Sequence, residues 1–374
     1  VNASAITVRS GELVALRLFD IAYAIDLPKA EAAWLVHVGG GSSRARLTNT
    51  PPKAIAFGVP PLQLSMDPIV LTLDGLTVTA QVSVRLYDFG VAALAVRVAV
   101  VDATWPAFVA QFNALDRQLG PSSPDSFWTA LRDQVSTAVL SALDRPSPGN
   151  ALQEDYLLGK VNALNEPLNA TELRERVDLT ELLSGETRPL SDSARRDLLG
   201  HSYSYYADDL VVLTWDRAFI YEPRGDSDVA DVIEVANAQL VELRYYDALL
   251  DDELPRMYLR VEEARGAVSL LAARRFANLA RGLYKLVAET TELTEKVDNA
   301  LQVTEDVYLA RVYSAALALF RVRSLSSSVN RKLAIVRDTY AALYEEASSR
   351  RAELLEIAIV LLIVLEVVLS LLRH

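Results

Sequence analysis

Two short phrases carry the first candidate chemistry. Arg17-Leu18-Phe19-Asp20-Ile21-Ala22 and Arg85-Leu86-Tyr87-Asp88-Phe89-Gly90 each place an aspartate after an aromatic residue. A carboxyl group there could act as a general acid or base, but that work needs a second acid, a histidine or a nucleophile at a fixed offset, and neither phrase supplies one. An aspartate bonding its own backbone in a tight turn between strands accounts for the recurrence on structural grounds. The pairs Asp208-Asp209 and Asp251-Asp252 are conceivable ligands for a hard cation, yet oxygen-only sites leave little spacing signature. Such pairs lie more often on solvated surfaces. Gly39-Gly40-Gly41-Ser42-Ser43-Arg44 lacks the strand-loop-helix frame, the lysine and the hydroxyl of a phosphate cradle, so it reads as a loop leading to Pro51-Pro52 and Pro60-Pro61. Tyr203, Tyr205 and Tyr206 alternate like a strand and read as aromatic packing.

Composition narrows the chemistry further. The 374 residues contain no cysteine, which removes thiolate metal sites, iron-sulfur clusters and cysteine nucleophiles. The three histidines are His37, His201 and His374, too few and too scattered for a two-histidine metal site or a serine-histidine relay. With 37 Lys plus Arg against 49 Asp plus Glu, the formal charge is −12, which argues against nucleic acid as a partner because such binding draws on released counterions. No catalytic residue, cofactor or metal ligand is assigned. The expectation is a non-enzymatic protein.

The far end of the chain carries a different kind of chemistry. From Ile357 to Leu372 every residue is apolar except Glu366 and Ser370, so a helix there has no polar face to give to water. Counted from Leu354, the run has the length of a helix of about 28 Å, close to the ~30 Å hydrocarbon core of a bilayer. A transmembrane anchor is expected, with Arg350, Arg351 and Glu356 at its entrance and Arg373 beyond. The sequence opens with no export signal, and the bias of these arginines agrees with a cytoplasmic N-terminal bulk (at the inner membrane in a bacterium) and insertion after synthesis. Glu366 would cost on the order of 2.5 to 3.5 kcal/mol at the bilayer centre, which implies a partner.

The elements that must position these residues divide into four stretches. Residues 1–145 read as an α+β domain. Glu12–Leu18 and Val82–Leu86 are strand-like, each phrase runs into a second apolar strand and then a helix, and the whole reads as a duplicated strand-turn-strand-helix unit. Residues 146–225 read as a helical connector of short helices and loops, followed by a β-hairpin over Leu210–Glu222 with Asp216-Arg217 at its turn. Asn2-Ala3-Ser4 and Asn169-Ala170-Thr171 are glycosylation sequons in form only. Residues 226–353 read as a helical hairpin or coiled-coil stalk. Pro255 interrupts or bends its first helix. Leu286, Thr290, Leu293, Val297, Ala300, Thr304 and Val307 keep the alternating spacing of a heptad seam, which an intramolecular helix pair explains about as well as self-association. The last helix is expected to begin after Ser324–Ser328 and to carry the anchor, residues 354–374.

At this last helix the residues resemble a family. Asn330, Leu333, Ile335, Val336 and Arg337, then Leu354-Leu355-Glu356, Ile359, Leu362-Ile363 and Glu366-Val367-Val368, resemble the C-terminal signature of the Required for Meiotic Nuclear Division family. Tyr246-Asp247 through Tyr258 and Tyr87-Asp88-Phe89-Gly90-Val91 look like its acidic segment and its strand phrase. Arg351-Ala352 and Ile357 stand where that family usually has His and Trp, so the resemblance is to a divergent member. It implies a homo-oligomeric, membrane-associated protein with no established enzymatic activity. Three functions follow as expectations. The preferred one is a membrane-tethered homo-oligomeric scaffold whose partners are itself and the lipid bilayer. The second is an enzyme or small-ligand binder in the N-terminal domain. The third is a cation-conducting oligomeric pore lined by Glu366.

Overall fold

The structure, a computed structural model, describes residues 6–37, 42–44, 55–147, 152–225, 228–265, 269–298, 301–303 and 306–372. The glycine run at Gly39–Gly41, Pro51-Pro52 and the Asn2 sequon lie outside them. In chain order the first elements are β1 (Thr7–Asp20), β2 (Ala22–Ile25), α1 (Leu27–His37), β3 (Ser42–Arg44), β4 (Ile55–Phe57), β5 (Leu62–Leu73), β6 (Leu76–Leu86), β7 (Val91–Thr104), α2 (Trp105–Leu119), α3 (Ser126–Ala138) and β8 (Leu143–Pro146). Next come β9 (Gln153–Leu164), α4 (Ala170–Arg176), α5 (Thr180–Ser184), α6 (Asp192–Leu198), β10 (Ser202–Tyr203), β11 (Leu210–Leu213) and β12 (Arg217–Tyr221). The remainder is α7 (Val229–Arg265), α8 (Ser269–Asp298), β13 (Leu301–Val303), α9 (Val307–Leu319) and α10 (Val322–Leu372). The architecture is α+β, strand-rich at the start, as expected.

Two compact units divide the chain, one of residues 1–244 and 296–323, the other of residues 245–295 and 324–374. The first is built on a nine-stranded sheet in the order β10-β11-β12-β9-β1-β7-β6-β5-β3. All its pairings are antiparallel except β9 with β12. Strand β1 lies at the centre, bonded to β7 along one edge and β9 along the other. Successive side chains of a strand point to opposite faces. Leu13, Ala15 and Phe19 join Phe108 and Phe112 of α2 in one core. Val14, Leu16 and Leu18, on the alternate face, are also buried, on the side where Asp231 and Glu234 of α7 reach Arg85. The sheet is thus covered on both faces.

Local signals account for several boundaries. Thr104 accepts the amide of Ala107 at the start of α2, with proline in its first turn. Asn169 and Glu172 form a capping box on α4, a backbone reason for Asn169 to be where it is. Asp74 and Gly75 take positive φ, 49° and 79°, in the two-residue turn that joins β5 to β6, the conformation such hairpins need.

The duplicated order of strand, turn, strand and helix occurs, but its two copies are not equivalent. In the second copy β6 and β7 form a hairpin, whereas the second strand of the first copy, β2, leaves the sheet and pairs with β8. Register separates them again. Ala93 pairs with Leu18 on one side and Arg85 on the other, so Arg85 shares a face with Leu18 and Arg17 points to the opposite one. Residues expected as short helices and loops contain strand β9 as well as α4 to α6. Its polar start, Gln153-Glu154-Asp155, and Gly159 hide a strand whose register against β1 runs from Phe19 to Val8. The β11–β12 hairpin falls where expected.

In the second unit, Lys332 Nζ lies 2.7 Å from Asp247 Oδ1 and 2.7 Å from Asp251 Oδ1, holding α10 to the second half of α7. Pro255 lies inside α7, which runs on through it. Helix α10 begins at Val322, ahead of the serine run, because Arg321 takes a positive φ of 56° that ends the preceding helix. The heptad seam does not lie on one helix. Helix α8 ends at Asp298, and Leu301–Val303 pair as a strand with Ile55–Phe57, so the coiled-coil expectation fails after Val297. Val307 is 72% exposed. The transmembrane expectation also lacks support: among the described residues no helix is long and apolar enough to cross a membrane. The stretch from Ile357 to Leu369, interrupted by Glu366, reaches about 20 Å as a helix, short of the ~30 Å hydrocarbon core.

Gly90 fixes how the two phrases meet. Its φ is +99°, and a Cβ there would sit 1.8 Å from the carbonyl oxygen of Ala22. Gly90→Ala is expected to lower stability by about 3 kcal/mol or more, from strain plus backbone overlap. Denaturant unfolding with an unchanged slope would show it, and a loss below about 0.5 kcal/mol would mean the two phrases do not dock this way.

Candidate functional site

Both aspartate phrases end at the same end of the sheet and dock on each other. Ile21 N donates to Gly90 O at 3.0 Å and Ile25 N to Asp88 O at 3.0 Å, so the turn Tyr87–Gly90 is clamped along the start of β2. Each aspartate lines its own cavity. Asp88 and Asp26 face an open cavity of about 430 Å³, walled by Ile25, Leu27, Pro28, Val59 and Pro60. Asp20, 2% exposed, borders one of about 160 Å³ with Ser147, Arg132 and Asp133. The Asp20 carboxyl accepts Ser147 Oγ at 2.9 Å and a hydrogen bond from the Ala22 backbone, yet burial outweighs both and pushes its pKa to about 7. The carboxyl is therefore poised to change charge near neutrality.

Three buried arginines, none of them singled out from sequence, tie the sheet to its helices. Arg17 donates to Leu119 O at 3.2 Å, lies 3.6 Å from Asp125 and stacks over Trp128 of α3. Arg217 donates to Asn113 Oδ1 and Leu182 O, each at 2.9 Å, and pairs with Asp116 of α2. On the other face Arg85 Nη1 donates to Asp231 Oδ1 at 2.9 Å and lies 3.2 Å from Glu234 Oε1, while Tyr87 Oη donates to that same oxygen at 2.9 Å. Burial opposes the charge of Arg85, but Glu234 and Asp231 prevail and hold its pKa well above the ordinary value. Burial, with Glu234 adding to it, likewise raises Tyr87. Beside Arg244, Glu154 is still pushed to about 7 by its burial. These groups are committed to one another, and their chemistry is that of fixing helices on a sheet. The phrase Arg-Leu-aromatic-Asp was the available signal, since its arginine recurs with its aspartate.

The residues named from sequence are scattered. Asp209 accepts the amides of Tyr205 and Tyr206, at 2.7 and 3.0 Å, and so shapes its own loop. Tyr205 and Tyr206 meet edge to face but are exposed, and the strand ends at Tyr203, so the alternation expected there does not extend to them. Asp251 pairs with Lys332, and Asp252 lies 3.6 Å from Arg256. Among the described residues no group of three His, Asp or Glu side chains could hold a metal ion. Of the seam residues, Leu286 is half-buried, Thr290 and Val297 are buried, and the side chain of Leu293 lies outside what is described. Glu356 and Glu366 are exposed on α10. The side chains of Arg350 and Arg351 lie outside what is described.

A family model for the N-terminal domain of uncharacterized protein MJ0711 matches residues 10–228, more than half of the chain. The chain belongs to this family. The matched region runs from β1 through β12 to the threshold of α7, and so contains both aspartate phrases, the sheet, and Arg17, Arg85 and Arg217. Uncharacterized protein MJ0711 of Methanocaldococcus jannaschii is 24% identical over 242 residues, covering 64% of this chain and 73% of that protein. No solved structure matches. The comparisons do not show the resemblance to the Required for Meiotic Nuclear Division family.

The raised pKa of Asp20 has a definite sign. Folding lifts it from 3.8 to about 7, so the native state holds a proton that the unfolded chain has released. Stability from this group is full below pH 4 and is lost as pH rises towards 7. Asp20→Asn, which keeps a buried hydrogen-bonding group without the charge, should gain on the parent by on the order of 2 to 4 kcal/mol between pH 4 and pH 8. Urea unfolding of both proteins across that range checks it; a difference that does not vary with pH overturns it.

Proposed function

We propose that this chain is a non-enzymatic, self-associating scaffold that holds its sheet domain at a lipid bilayer through the apolar end of α10. One observation carries the reading. From Leu355 to Leu369 the large apolar side chains are exposed on every side of the helix, between 45% for Val368 and 65% for Leu355. A helix docked by one face would leave the others in water, so an all-round apolar surface calls for an all-round apolar surrounding. Each half-exposed Leu, Ile or Val gains about 1 kcal/mol on leaving water, which over this stretch exceeds the cost of seating one glutamate. Self-association supplies neighbours for Glu366 and is one way in which a bilayer accommodates a helix shorter than its hydrocarbon core.

Flotation with neutral phosphatidylcholine vesicles tests this on the full chain. The parent is expected to float. Leu362→Lys together with Val364→Lys, at positions already exposed, should leave the fold intact and reduce partitioning by about a hundredfold or more, since each charge costs roughly 2.5 to 3.5 kcal/mol in the hydrocarbon. A parent that stays in solution as a single multimer without lipid would show that copies of the helix bundle together in place of lipid. A second reading, ligand binding by the sheet domain, is favoured by the cavity at Asp20.

A further inference from the structure

The cavity at Asp20 combines three properties that together define a ligand. Its acid is buried and carries a charge problem: Asp20 is 2% exposed, its Oδ2 accepts Ser147 Oγ at 2.9 Å, and no cation pairs with it among the described residues. The arginine in the wall does not answer that need. Arg132 is turned to Asp133, with Nη2 at 2.7 Å and Nε at 2.9 Å from Oδ1, and it lies over the ring of Phe19. The rest of the lining is Ile21, Leu140, Leu143 and Pro146 on the apolar side and the hydroxyls of Ser136 and Thr137 on the polar side. Leu140 is 57% exposed, leaving apolar surface for an occupant to cover.

We propose that this cavity binds a small primary amine in its ammonium form. The ammonium donates to the Asp20 carboxylate, and the alkyl part lies against Ile21, Leu140, Leu143 and Pro146. A buried carboxylate without a cation is stabilised by an incoming one, and the ion pair gains from the low dielectric of the site. An anion is disfavoured by Asp20 and Asp133 together. A bare divalent ion would want about six oxygen ligands, more than this lining provides. At about 160 Å³ the space suits a molecule of a few heavy atoms. This site belongs to the sheet domain and stands independently of the role proposed for α10.

The test uses the full chain at pH 8 with n-butylammonium chloride, n-butanol and sodium butyrate, at matched ionic strength, followed by titration calorimetry. The ammonium is expected to bind at least about tenfold more tightly than the alcohol, and butyrate not at all. Asp20→Asn should bring the ammonium down to the level of the alcohol. Leu140→Lys, a change at an exposed position that places a cation by the cavity, should abolish ammonium binding and so serves if the first variant does not fold. Equal binding of ammonium and alcohol by the parent, or ammonium binding that survives Leu140→Lys, overturns the proposal.

Discussion

The constraint on which the first unit depends is that the second half of β1, from Leu13 on, has nowhere to meet water. From Ser10 to Phe19 the strand is paired along both edges, and from Leu13 to Asp20 every side chain is buried. Two of those side chains, Arg17 and Asp20, are ionisable. A buried charge must be paired, hydrogen-bonded or neutralised. Arg17 takes the first course, through Asp125 and the carbonyl of Leu119, and so fixes the end of α2 beside the start of α3. Asp20 takes the last: it accepts hydrogen bonds from the Ser147 hydroxyl and the Ala22 backbone and still retains its proton to about pH 7. The same logic recurs at Arg85, whose acids come from α7, and at Arg217, whose partners come from α2 and α5. Helix placement in this unit is therefore decided largely by where three buried arginines find their complements.

Much of this was legible in the residues, and the exceptions have physical causes. Alternating apolar patterns announced β1 and β6, and the hairpin of β11 and β12 declared itself by length and polarity. Strand β9 did not, because its first three residues are polar and Gly159 sits in its middle. The repeated phrase was visible but its meaning was not. A displacement of one residue in pairing sends equivalent arginines to opposite faces of the sheet, and no pattern within either segment encodes the pairing of the two. The seam through Leu286 and Val297 shows the converse: its spacing runs past the end of α8 at Asp298 to Val307 at the start of α9, with Ala300 and Thr304 outside the described residues.

The two units pose opposite solvation problems. Within the sheet domain polar groups are stranded among apolar ones, and side chains from other elements come to them. Along α10 beyond Leu355 apolar groups are stranded in water, and no described element comes to them. The family match covers residues 10–228, the region of the sheet, and ends before α10.

The pairing of β1 with β9 also bears on how the chain is made. These neighbours are separated in sequence by the whole of β2 to β8, and Val8 meets Leu164 only when that entire stretch has been synthesised. Contacts so distant in sequence close late and slowly. On a ribosome, β1 can pair first only with β7, leaving its other edge open, flat and apolar until Leu164 emerges. For that interval the nascent domain is half a sheet with a bare flank, the kind of surface that neighbouring nascent chains can add to and that a chaperone would have reason to shield.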